Sequence, residues 1–151
     1  MIKLLNHQNA DTAKQILNVQ LPAYRKEAEI INFDGIPQLS ETVASIQMSD
    51  ETFIGCYRDG EVAGVLSLEH IKGTIRICRL VVHPDYFRMG VAKEIMEYLL
   101  VTNDKDFVVS TGADNFPAVK FYEKFGFQEA ERSEPVKGVF LTHMKKEAKI
   151  G

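Results

Sequence analysis

Val81-Val82-His83-Pro84-Asp85-Tyr86-Phe87-Arg88-Met89-Gly90-Val91-Ala92 decides how this chain is read. Upstream, Thr74–Val82 is dense in Ile, Leu and Val, as a buried central strand should be. Pro84 stops it, because proline brings no N–H to a ladder. Downstream, Ala92, Ile95, Met96, Leu99 and Leu100 recur at helical spacing, while Lys93, Glu94 and Glu97 take the opposite side. Strand, short loop and helix start therefore follow one another. The first N–H groups of a helix lack internal partners, and its dipole places about half a positive charge there, so the junction suits a phosphate. Gly90 and Ala92 would let such a group approach the backbone. Close packing of the helix on the sheet is the competing explanation for the same two small residues. Neither Gly-x-Gly-x-x-Gly nor the P-loop pattern occurs.

Working outward, the apolar residues of Met1–His7 favour a first strand. Asn9 or Asp11 would cap a helix carrying Ala13, Ile16 and Leu17, which Pro22 is expected to end or bend. Asp34-Gly35 and Pro37 break any regular element over residues 23–39, after which Ser40 would cap a short helix with Val43, Ile46 and Met48. Thr52–Arg58, Asp59-Gly60 and Glu61–Glu69 read as a hairpin, and Gly73 closes the next turn. Beyond the central helix come a strand at Phe107–Thr111 and a helix opened by Pro117 and closed by Gly126, with Ala118, Phe121, Tyr122 and Phe125 inward. Phe127–Arg132 and Val139–Met144 would form a closing hairpin. Helices alternate with strands only in the second half. The expected architecture is a single α/β (α+β) domain over residues 1–151, with a mixed, mostly antiparallel central sheet flanked by helices.

Composition removes several function classes. Among 151 residues, 26% are charged with a formal net charge of -3, so no basic field exists to hold nucleic acid. No apolar run approaches the roughly 20 residues of a membrane span, and a cytoplasmic setting is expected. Cys56 and Cys78 lie in apolar runs and read as buried thiols. His7, His70 and His143 show no metal-ligand spacing, so no metal is expected.

Leu80–Leu100 resembles the acetyl-CoA motif of the GNAT superfamily of N-acetyltransferases, whose loop reads Gln/Arg-x-x-Gly-x-Gly/Ala. Gly90 and Ala92 match its last two positions; Phe87 stands where Gln or Arg is usual, with Arg88 one place later. Asn115-Phe116-Pro117-Ala118-Val119-Lys120-Phe121-Tyr122-Glu123-Lys124-Phe125-Gly126-Phe127 resembles the family's Asn-x-x-Ala-x-x-x-Tyr-x-x-x-Gly-Phe helix. The resemblance implies an N-acetyltransferase fold and acetyl-CoA as cosubstrate. It implies that Leu80, Val81, Val82, Arg88, Met89, Gly90, Val91 and Ala92 contact the coenzyme, largely through backbone. Asn115 would meet the pantetheine arm. Tyr122 would lie near the sulfur as the acid that protonates the leaving thiolate, a role suited to a phenol with an ordinary pKa of roughly 10.

The acceptor implied is a small-molecule or peptide amine, attacked on a thioester without a covalent enzyme intermediate, and a homodimer is compatible with this. Many relatives carry a Glu on the central strand as base, but here Cys78 and Arg79 stand around that point. Glu69 and His83 are substitutes, each read first as an edge residue or loop-shaping contact, and a chain of waters is the expected proton route. A backbone N–H splayed open near Val82 would serve the developing oxyanion. The run Tyr24–Pro37 is the expected lip of the acceptor pocket, although Glu27 and Glu29, taken singly, read as solvated helix positions. Two rival classes remain beside the enzyme: an acyl-CoA-sensing module with weak or no turnover, and a mononucleotide-binding α/β protein.

Overall fold

A computed structural model of the protein describes residues 1–149. Its elements run β1 (Ile2–Leu5), α1 (Ala10–Ile31), α2 (Val43–Gln47), β2 (Thr52–Arg58), β3 (Glu61–Ile71), β4 (Thr74–Val82), α3 (Val91–Thr102), β5 (Asp106–Gly112), α4 (Phe116–Lys124), β6 (Gln128–Val136) and β7 (Val139–Lys146). All seven strands join one sheet in the order β1-β2-β3-β4-β5-β7-β6, antiparallel at every neighbour except β4 and β5. The expected mixed, mostly antiparallel α/β sheet is what forms.

Helices cover both faces, which explains why β3 is buried almost continuously rather than on alternate residues. Ile16 and Val19 of α1 pack with Phe53, Val65 and Val81 on one face. Ile95, Met96 and Leu99 of α3 pack with Leu66, Ile75, Ile77 and Tyr122 on the other. Among the described residues, no helix is long and apolar enough to cross a membrane.

Pro22 neither ends nor replaces α1, which runs unbroken for 22 residues from its Asn9 cap to a left-handed Asn32. The proline costs the hydrogen bond to the Asn18 carbonyl. Buried Val19 and Gln20 before it, and buried Tyr24 after it, hold both halves against the sheet. Tertiary packing thus overrides the local breaker. The short helix is capped by Thr42 in a reciprocal capping box with Ser45, not by Ser40, which ends a preceding 3₁₀ turn. Met48 lies past its end and is exposed, leaving Ile46 as its buried anchor. The fourth helix begins at Phe116, one residue before Pro117, and Asn115 is its cap.

Two irregularities shape the centre. Leu68 faces Ile77 and Ser67 faces Arg79, so Cys78 is an extra residue on β4. Such a bulge resets the alternation of faces. Ile77, Leu80 and Val82 therefore pack with the α3 core, while Arg79 and Val81 turn to α1. In addition, β4 and β5 pair only from Thr74↔Asp106 to Ile77↔Val109. Past that point β4 stays with β3 as far as Val82↔Gly64, and β5 with β7 as far as Gly112↔Leu141. The sheet divides.

Candidate active site

A cavity of about 450 Å³ fills the divide. Cys78, Arg79 and Leu80 of β4 form one wall and Val109–Gly112 of β5 the other. Because the strands have parted, side chains reach it from both faces of the sheet: Tyr24, Glu27 and Ile31 of α1 from one, Ala118 and Tyr122 of α4 from the other. The β5-facing backbone of Leu80, Val81 and Val82 has no strand partner. The Val81 side chain points away, into the α1 core. This unpaired edge runs from the cavity to the loop before α3.

That loop is built to keep donors free. His83 Nδ1 accepts from the Asp85 amide at 3.0 Å and the Phe87 amide donates to the Pro84 carbonyl at 3.2 Å, forming one tight turn. Arg88 and Gly90 then take left-handed conformations, with φ of 64° and 75°. Gly90 is the cap of α3 and has no side chain to offer, so Val91, Ala92 and Lys93 begin the helix with amides that no described residue accepts from. A Cβ added to Gly90 meets no atom within 4 Å, so this glycine is required by its backbone angle and not by packing. The close approach to the sheet falls instead at Val91, whose Cγ1 lies 2.5 Å from where a Cβ on Gly64 would stand. The packing explanation therefore belongs to Gly64, which the sequence did not single out. Met89 is exposed beside the open side, as is Phe87.

Tyr122 is buried among Phe121 and Phe127, with ring centroids 5.4 Å away in each case. Its hydroxyl makes no hydrogen bond to any described residue. Among the described residues the only sealed side-chain polar atom without a partner is Thr142 Oγ1, so the phenol opens onto the cavity its ring lines. Burial, with the Glu27 charge second, raises its pKa above the ordinary phenol value, and the proton is held firmly. Asn115 is buried and engaged at both ends: Oδ1 caps α4 by accepting from the Ala118 amide at 3.3 Å, and Nδ2 donates to Glu27 Oε1 at 2.9 Å. Glu27 thus turns inward, contrary to the solvated position expected of it. Glu29 does stay exposed, beside Lys26.

Arg79 does not line the cavity as a free cation. Nε donates to Ser67 Oγ at 2.9 Å, Nη1 to Gln20 Oε1 at 2.7 Å and Glu41 Oε1 at 2.8 Å, and Nη2 to both oxygens of Glu51. Its plane lies 5.0 Å over the Phe53 ring. Burial opposes its charge, but Glu51 and Glu41 outweigh that and its pKa lies above the ordinary value. The two substitute bases are engaged elsewhere. Glu69 pairs with Arg76 at 2.9 Å across β3 and β4, and His83 is occupied as a turn cap outside the cavity. Glu51, Glu69 and Cys78 bring ligand atoms within 4.8 Å of one another, yet both carboxylates are already balanced by arginines. Cys56 is buried as expected, whereas the bulge leaves Cys78 half-buried on the cavity wall. Burial pushes the Cys78 thiol up to about 11, so it carries little thiolate at neutral pH.

With this geometry established, comparison with known proteins places the chain. The family model described as "Acetyltransferase (GNAT) domain" matches residues 20–148, and the chain belongs to that acetyltransferase family. The UPF0157 protein YqkA of Bacillus subtilis (strain 168) is 44% identical over 144 residues, covering 94% of this chain and 42% of that protein. The chain thus spans about two-fifths of the length of this curated relative. Two solved structures share the fold: smu.2055 from Streptococcus mutans UA159, with TM-score 0.78 at 16% identity over 97% of this chain and 98% of that one, and the PaiA N-acetyltransferase from Thermoplasma acidophilum in complex with coenzyme A, with TM-score 0.69 at 14% identity over 97% and 99%.

Proposed function

We propose that this chain transfers the acetyl group of acetyl-CoA to a primary amine, by direct attack inside the divide between β4 and β5. One observation carries the proposal: an unpaired strand edge joins a run of free amides at the start of α3 to a cavity into which the Tyr122 hydroxyl opens. The residues fit the coenzyme. The amides of Val91, Ala92 and Lys93, presented by a left-handed Gly90, suit a diphosphate, and the β4 edge at Leu80–Val82 suits the amide groups of a pantetheine arm. The exposed Arg88 and Met89 flank that anion site. Asn115 takes part by fixing the start of α4, and hence Tyr122, since its oxygen is already committed to the cap.

Tyr122 is the acid. Burial raises its pKa and raises the basicity of a thiolate at that depth as well, so the phenol keeps its proton until a thiolate forms beside it. Cys78 is unsuited to carry an acyl group, because its thiol stays protonated. Attack is therefore direct.

Calorimetry with acetyl-CoA and CoA, followed by release of free CoA thiol with added amines, tests this. Saturable binding and amine-dependent release are expected. Tyr122→Phe should lower kcat by about 100-fold or more, the usual contribution of a positioned acid, with acetyl-CoA affinity within twofold. Binding with no release from any amine would favour the sensing module, and absence of binding would remove the proposal.

A further inference from the structure

Glu27 is the one carboxylate on the cavity wall, and half of it is unused. Oε1 accepts from Asn115, while Oε2 has no hydrogen-bond or ion-pair partner among the described residues. The cation on the same wall, Arg79, does not neutralise it, because its donors are taken by Gln20, Glu41, Glu51 and Ser67. Tyr24 faces Glu27 from one turn earlier on α1 and Tyr122 from α4, both phenols held protonated by burial. From β4 come Arg79 and the protonated Cys78; β5, β6 and β7 present no group that ionises near neutral pH. The cavity therefore offers one unpaired negative charge. Around it the walls are apolar, with Ile31, Phe33, Ile36, Val136 and Leu141.

Resting on the acetyl-transfer reading, we infer that Glu27 seats the ammonium of a small monoamine with an uncharged, largely apolar body, and takes its proton before the nitrogen attacks. A cavity near 450 Å³ is of small-molecule size. A second ammonium finds no second carboxylate, and a substrate carboxylate finds the arginine donors taken. The protons and electrons balance. The ammonium gives one proton to Glu27, which returns it to solvent. The freed nitrogen pair forms the C–N bond, and the C–S pair leaves on sulfur. Tyr122 protonates the thiolate, and the second nitrogen proton restores the phenol. Burial raises the Glu27 carboxyl above the ordinary carboxylate range against the opposing Asn115 hydrogen bond, which makes it a better base near neutrality.

The test uses 2-phenylethylamine, spermidine and phenylalanine as probes, with acetyl-CoA saturating and CoA thiol release followed from pH 5.5 to 9.5. The wild type should prefer 2-phenylethylamine by about tenfold or more in kcat/KM, reflecting unpaired charge on the other two. Glu27→Gln should lower that kcat/KM by about 100-fold or more and replace the wild-type acidic limb with one that follows the amine's own ionisation at higher pH, with the acetyl-CoA Kd within twofold. Glu27→Asp should keep the limb at a reduced rate. Asn115→Ala separates a positioning role: were Glu27 only a support for Asn115, both variants would lose activity and acetyl-CoA affinity alike. Retention of the wild-type limb in Glu27→Gln, or preference for spermidine or phenylalanine, overturns the inference while leaving acetyl transfer intact. Wild type that binds acetyl-CoA but turns over none of the three overturns the assigned acceptor class. Wild type that fails to bind acetyl-CoA overturns the acetyl-transfer reading itself.

Discussion

Replacing Arg79 with Met asks what the buried arginine does for the fold. Its side chain is 4% exposed and answers two carboxylates, an amide and a hydroxyl, so truncation strands Glu41 and Glu51 together. Removing one partner of a buried ion pair costs about 3–5 kcal/mol. Glu41 and Glu51 retain 21% and 19% exposure and can turn toward water, which places the loss at the lower end, about 3 kcal/mol. For a chain of this size that corresponds to a fall in Tm of roughly 6–12 °C. Urea unfolding followed by circular dichroism reads the change in midpoint at constant slope. Arg79→Met combined with Glu41→Gln and Glu51→Gln should recover more than half of the loss, because the cost lies in uncompensated charge and not in missing contacts. A single Arg79→Met within about 1 kcal/mol of wild type, or a triple variant less stable than the single, would refute this account.

Two further outcomes follow from packing and charge around α3. Gly64→Ala places a Cβ 2.5 Å from Val91 Cγ1 and 3.2 Å from the Val81 carbonyl, so overpacking of about 1–3 kcal/mol is expected. Val91→Ala in the same chain should relieve part of it, seen as a coupling of about 1 kcal/mol in a double-mutant cycle; strict additivity would rule the contact out. Glu94 Oε2 accepts from Cys56 Sγ at 2.9 Å and Arg58 Nη1 at 3.1 Å, which together draw its carboxyl down to about 2. Its folded pKa is depressed, so its contribution is present above the unfolded value near 4.5 and is lost as pH falls from there toward 2. Thermal melts of Glu94→Gln and wild type should differ at pH 6 and draw steadily together as pH falls below 4.5 toward 2, and a gap independent of pH would contradict the assignment.

Strand and helix order was legible because β4 and α3 carry strong periodicities, and nearly every other element has a turn residue at its end. Asp59-Gly60 and Gly73 bracket β3, and the Asp59 and Gly60 backbones both adopt the positive φ that their types tolerate. The bulge at Cys78 was not legible. A run of Ile, Cys, Leu and Val reads identically with or without an extra residue, so nothing local reveals that Arg79 faces α1 rather than α3. Gly64 was hidden for a similar reason: in a strand buried on both faces, a glycine that admits a helix looks like any other weak strand residue.

The run Tyr24–Pro37 was legible as the lip of a cavity, but the inward turn of Glu27 was not, and Pro22 is the cause. Expected to end or bend α1, it obscured the stripe that Tyr24, Glu27 and Ile31 make at helical spacing. Read with the helix continuous, the same stripe is an apolar and aromatic face interrupted by a single carboxylate, and all three residues line the cavity. Propensity failed there because Val19, Gln20 and Tyr24 anchor the helix on either side of the proline, and anchoring by the sheet outweighs one lost hydrogen bond. The consequence is one of placement. A helix broken at Pro22 would have left Glu27 on a mobile loop in water, whereas the unbroken one carries it over the sheet to the gap that β4 and β5 leave open.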